Sequence, residues 1–166
     1  MAKLKKNDRE LFVGIDPSYN GFAIIVMDTE FNIIEERLLK TKTKETIEER
    51  IISLEKEFSF ILKLKNLKKV YFEGPSFSSS GAFMLEMGAL NYYFRILLFK
   101  NNISYEIIPP TNLKKFVTGK GNVKKELMLL KTFKKWGVEF EDNNLCDAYC
   151  LCRYAIEEYN KNGQTN

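Results

Sequence analysis

A short apolar run, Val13-Gly14-Ile15, ends on a lone carboxylate, Asp16. The chain then turns back at once through Pro17-Ser18-Tyr19-Asn20 and Gly21 into a second apolar run, residues 22–27. Carboxylates are depleted in strands and costly to bury, so an Asp at the end of a buried strand needs a partner, and a bound cation is one. The near-continuous apolarity of both runs suits central strands covered on both faces. That already restricts the chain to a layered fold with helices over a sheet.

Residues 11–16, 21–28 and 31–39 read as a three-stranded meander, with turn signals at Pro17-Ser18 and Asp28-Thr29-Glu30. Residues 43–64 carry Ile47, Ile51, Leu54, Phe58, Ile61 and Leu62 near helical spacing. A short strand over 69–73 follows, then a Gly-Pro-Ser-Phe-Ser loop and a helix over 81–100. Residues 103–108 form a fifth strand, stopped by Pro109-Pro110. Helices over 111–117, 123–136 and 144–159 complete the chain, the second preceded by the loop Thr118-Gly119-Lys120-Gly121-Asn122. No repeat or linker interrupts this order, which predicts one α/β domain with a mixed five-stranded sheet. Three strands are antiparallel and the last two run parallel to the first, since strand crossovers are right-handed. The ends of the first and fourth strands, Asp16 and Glu73, then become neighbours.

Composition narrows the function classes. At 45% hydrophobic and 29% charged residues, the 166-residue chain has the make-up of a globular protein with one core. The net charge of +4 is unevenly spread: residues 114–135 hold eight lysines against one acid, Glu126. Such a basic stretch suits a polyanion. The absence of His excludes His-dependent nucleophile triads. Cys146, Cys150 and Cys152 are an odd set without a fourth ligand, so they read as small buried residues rather than a zinc site or disulfide framework. The first ten residues are polar, unlike a signal peptide, and the longest apolar stretch, 83–99, contains Glu86, Asn91 and Arg95. A cytoplasmic protein with no membrane partner is expected.

Asp16, Glu73 and Asp147 sit at three element ends far apart in sequence. Converging, they form an oxygen-only ligand set suited to Mg²⁺, with Mn²⁺ expected to substitute. Such sites support in-line phosphoryl displacement. Taken singly, Asp16 could close a turn with Ser18, Glu73 could form a surface pair, and Asp147 could cap the last helix.

Gly14-Ile15-Asp16-Pro17-Ser18 with Gly21, then Phe72-Glu73, then Asp147-Ala148 in a C-terminal helix, resembles the RuvC-type Holliday junction resolvases of the RNase H-like superfamily. The likeness runs from about residue 11 to 157. It implies an RNase H-like fold and a homodimeric, Mg²⁺-dependent endonuclease. The substrates implied are four-way and branched DNA, cut by paired nicks that leave 5′-phosphate and 3′-hydroxyl ends. Asp16, Glu73 and Asp147 correspond to three of the family's acids, and the fourth falls on Asn144. An amide oxygen can coordinate but brings no charge, so either Asn144 or, by a shifted helix start, Asp142 completes the cradle.

The same resemblance assigns DNA phosphates to Lys114, to the Gly119-Lys120-Gly121 loop and to Lys125, which joins the catalytic set. Lys115 and Lys124 extend that basic surface, and a glycine-rich turn before a helix exposes N–H groups to phosphate. Ser76 and Phe77 lie in the loop after Glu73, where an exposed aromatic would stack on an unpaired base. Phe83 competes for that role. The helix over 81–100 is apolar on more than one face, which predicts burial against a second copy. The compact, His-free, Lys- and Asn-rich form suggests a phage-borne or low-GC bacterial member. Two other readings stay open: a non-catalytic junction binder, and an RNase H-like nuclease acting on RNA–DNA hybrids.

Overall fold

The computed structural model describes residues 9–75 and 81–163. β1 (Leu11–Asp16), β2 (Phe22–Asp28), β3 (Ile33–Leu39), β4 (Leu67–Glu73) and β5 (Tyr105–Ile108) form one sheet in the order β3-β2-β1-β4-β5. β2 is antiparallel to β1 and β3, whereas β4 runs parallel to β1 and β5 parallel to β4. This is the mixed sheet that the sequence predicts.

Strand alternation divides the core in two. Phe12, Ala23, Ile25, Met27 and Tyr71 face α3 (Pro110–Thr118), α4 (Lys125–Trp136) and α5 (Asn143–Gly163). Val13, Ile15, Phe22, Ile24, Val26, Val70 and Phe72 face α1 (Ile47–Phe58) and α2 (Ala82–Lys100). On α2 the inward stripe is Leu90, Phe94 and Leu98, all fully buried. Phe94 packs on Phe22 and Phe58 with ring centroids 4.8 and 4.7 Å apart. Each such side chain contributes about 1.5–3 kcal/mol by leaving water, so this stripe anchors the helix. The opposite side of α2 leaves Phe83, Leu85, Tyr92 and Phe99 exposed.

Several boundaries differ from expectation, each for a local reason. The helix expected over 43–64 starts at Ile47, where Thr46 and Glu49 form a reciprocal capping box, and ends at Phe58. A 3-10 turn, Ile61–Lys63, then tucks Ile61 into the core. β3 begins at Ile33 because the buried Asp28 carboxylate accepts from the N–H groups of Glu30 and Asn32, both at 2.9 Å, holding a turn with Phe31 at φ 66°. α3 starts at Pro110, whose missing N–H costs nothing in a first turn, and ends at Thr118, capped by Gly119 in the left-handed region. α4 starts at Lys125, two residues later than expected.

α5 lies unusually close to the sheet. A Cβ on Gly14 would stand 2.1 Å from the carbonyl oxygen of Ala148 and 2.9 Å from the Cys152 nitrogen. The three cysteines are free and buried, and the Cys152 thiol donates to the Ile25 carbonyl at 3.1 Å. Among the described residues, no helix is long and apolar enough to cross a membrane.

Candidate functional site

Parallel pairing of β1 with β4 aligns Ile15 with Phe72, so the next residues, Asp16 and Glu73, leave the sheet side by side. The close approach of α5 at Gly14 sets Ala148 against β1, which brings the preceding residue, Asp147, over the same strand ends. The three carboxylates each offer an oxygen within 4.8 Å of the others.

These acids line a cleft of about 370 Å³. Lys114 from α3 and Lys125 from the first turn of α4 stand on its wall, with Asn144 beside Asp147. Phe83, Met84 and Met87 from α2 supply an apolar side. The wall is thus acidic at its floor, basic along one rim and apolar along another.

The electrostatics follow from this crowding. Burial, followed by the charges of Glu73 and Asp147, raises the Asp16 carboxyl well above the usual carboxylate range. Burial and then the charge of Asp147 push Glu73 up to about 7. Burial pushes Asp147 up to about 6, while Lys125 and Lys114 pull it down. Like charges this close favour a compensating cation. The donors that line the cleft are carboxylates and the amides of Asn144 and Asn91, with no imidazole or thiolate among the described lining residues. That set fits a hard divalent cation.

Asn144 and Asp142 occupy different places. Asp142 precedes the first residue of α5, and its Oδ1 accepts from the N–H groups of Asn144 at 2.8 Å and Leu145 at 3.3 Å. It is the cap of this helix, and the shift of helix start that would carry it into the cradle does not occur. Asn144 lines the cleft. Gly21 makes room for it, because a Cβ there would lie 2.2 Å from Asn144 Nδ2.

The lysine stretch also separates. Lys114 and Lys125 face the cleft, whereas Lys115, Lys120 and Lys124 are exposed and are absent from its lining. Lys120 stands in the interhelical loop, where its N–H donates to Thr118 Oγ1 at 3.1 Å. Lys124 precedes α4 without a side-chain cap bond. Ser76 and Phe77 fall outside the described residues. Phe83 is described, 53% exposed and on the cleft wall. Sequence reasoning passed over Asn91, Met84 and Met87 on that wall. Their signal was present only in Asn91, an amide interrupting an apolar helix.

Comparison with known proteins follows the same lines. No family model matches the chain. It is 28% identical over 144 residues to a crossover junction endodeoxyribonuclease RuvC of Sulfurovum sp. (strain NBC37-1), covering 84% of this chain and 90% of the relative. It is also 28% identical over 164 residues to a crossover junction endodeoxyribonuclease RuvC of Ehrlichia canis (strain Jake), covering 90% and 97%. In fold it is similar to Thermus thermophilus RuvC solved in complex with a Holliday junction substrate, with a TM-score of 0.74, 18% identity and coverage of 90% and 96%.

Proposed function

We propose, from the likeness of the chain to RuvC proteins in sequence and fold, that it resolves Holliday junctions and related branched DNA by paired endonucleolytic nicks. The observation that carries this reading is the convergence of Asp16, Glu73 and Asp147, with oxygens within 4.8 Å, on a cleft rimmed by Lys114 and Lys125. The reaction belongs to DNA recombination and repair, in the cytoplasm.

Asp16, Glu73 and Asp147 would hold divalent cations, Mg²⁺ first and Mn²⁺ in its place, with Asn144 lending its amide oxygen. Such cations supply an activated water and a stabilised leaving oxygen for phosphodiester hydrolysis. The chain's own groups do the rest. Lys114 and Lys125 draw a backbone phosphate over the acids, which would otherwise repel it. Lys115, Lys120 and Lys124 extend the contact along the flanking duplex. Phe83 offers surface to unstacked bases near the crossover, a role the sequence proposes equally for Phe77 with Ser76, outside the described residues. The cut would leave 5′-phosphate and 3′-hydroxyl ends.

A four-way junction has two-fold symmetry and two strands to cut, which a homodimer matches. The exposed Leu85, Tyr92, Ile96 and Phe99 of α2 are the surface suited to pairing. The experiment is incubation of the purified protein with an end-labelled four-way junction, a nicked duplex and an RNA–DNA hybrid, with and without Mg²⁺. Junction-selective, Mg²⁺-dependent cutting is expected. Cutting of the hybrid in preference, or binding without cutting, overturns the reading.

A further inference from the structure

Asn91 lies on α2 beside the inward stripe of Leu90, Phe94 and Leu98, and is only 2% exposed. A buried amide among apolar neighbours is unfavourable unless its hydrogen bonds are met. One is met: Nδ2 donates to the main-chain carbonyl of Glu73 at 3.3 Å. Oδ1 has no partner among the described residues, although Asn91 stands on the wall of the acid cleft. Packing alone would favour Leu there, which leaves no acceptor unmet.

The sheet explains why the Glu73 carbonyl needs this donor. Leu11 N–H donates to the Asn66 carbonyl, so alternation turns the backbone groups of residues 11, 13 and 15 toward β4. Val70 and Gly74 donate to Ser104 and Ile108 on the other side, so Glu73 faces β1. With Ile15 paired to Phe72 in parallel register, the next ladder donor for the Glu73 carbonyl would be residue 17. That residue is proline and has no N–H.

We propose that Asn91 is a positioning residue for Glu73: from α2 it supplies the hydrogen-bond donor that Pro17 removes from the sheet, and so fixes the strand end that aims the Glu73 carboxylate at Asp16 and Asp147. The inference rests on the metal-site reading above. It concerns the main chain of a ligand residue, where loss of such support typically weakens metal affinity by about 10–100-fold.

The test is Mn²⁺ binding by the parent and by Asn91→Leu, read from free Mn²⁺ by electron paramagnetic resonance, alongside metal-free melting temperatures and the split of kcat from KM on a junction. Asn91→Leu should keep a parent-like melting temperature, bind Mn²⁺ at least ~10-fold more weakly, and lose kcat rather than KM. Adding Pro17→Ala restores an N–H at the ladder position, so the double variant should recover part of the affinity. A folded Asn91→Leu whose Mn²⁺ affinity matches the parent overturns the positioning role and leaves the metal site standing. A double variant with no recovery overturns the ladder argument. A parent that binds no Mn²⁺ overturns the metal site and this inference together. Should Asn91→Leu fail to fold, Asn91→Ala makes the same comparison.

Discussion

Gly14 on β1 and Ala148 on α5 approach so closely that a Cβ on the glycine would lie 2.1 Å from the alanine's carbonyl oxygen. That contact sets the height of α5 above the sheet, and therefore the reach of Asp147 to Asp16. A helix backbone cannot yield at one carbonyl without moving the turns on either side of it. Gly14→Ala is therefore expected to cost about 3 kcal/mol or more, at or beyond the upper end of ordinary overpacking. Urea unfolding checks it. A loss below about 1 kcal/mol would show that α5 rides freely on the sheet.

The acid cluster predicts an unusual pH response in the metal-free protein. Folding raises the pKa of Asp16, and raises Glu73 to about 7 and Asp147 to about 6. A carboxyl raised on folding contributes stability that is full below its unfolded pKa, near 4, and is lost as pH climbs through the folded value. The metal-free melting temperature should therefore fall between pH 5 and pH 8 by way of this site. Mg²⁺ should restore it at pH 8 by binding the folded state. Asp16→Asn removes one charge from the cluster and should flatten the fall. Differential scanning calorimetry at both pH values, with and without Mg²⁺, decides the sign.

Much of this arrangement is legible in the sequence, and what is not has physical causes. Asp16 and Glu73 stand out because each ends an apolar strand run, and the order of elements makes those strands parallel neighbours. Gly14 gives no such signal, since its close approach to α5 joins residues more than a hundred positions apart. Asn144 and Asp142 are two residues apart, and only the cap bonds to the α5 backbone decide which reaches the cleft. Lys114 and Lys115 are adjacent in sequence, yet successive helix positions point about 100° apart, so one faces the cleft and the other solvent. The end of α1 at Phe58 was hidden because the following 3-10 turn keeps the apolar spacing of a helix.

Lys114 and Lys125 should act on DNA through charge. Each phosphate neutralised contributes about −0.9 to the slope of log affinity against log salt on duplex DNA. Lys114→Ala and Lys125→Ala should each weaken junction binding and flatten that slope by roughly one. Fluorescence anisotropy across a salt series measures it. Slopes equal to the parent's in both variants would assign these lysines to a solvated rim.

Asn144 offers an amide oxygen where a carboxylate would bring charge. Asn144→Asp adds a negative ligand three positions before Asp147 on α5, so the Mg²⁺ concentration for half-maximal nicking should fall. Gly21 already leaves room for a side chain of this size. A Mg²⁺ titration on one junction reads the effect. An unchanged or higher requirement would place Asn144 outside the cradle.

The central claim is that Asp16, Glu73 and Asp147 together hold the cations that cut a DNA junction. The most direct measurement compares the parent with Asp16→Asn on one labelled four-way junction, scoring binding by gel shift and nicking by denaturing gel across a Mg²⁺ series. The account predicts Mg²⁺-dependent paired nicks by the parent, and undiminished binding with nicking lost by at least ~100-fold in Asp16→Asn. Equal nicking by the two proteins would contradict it.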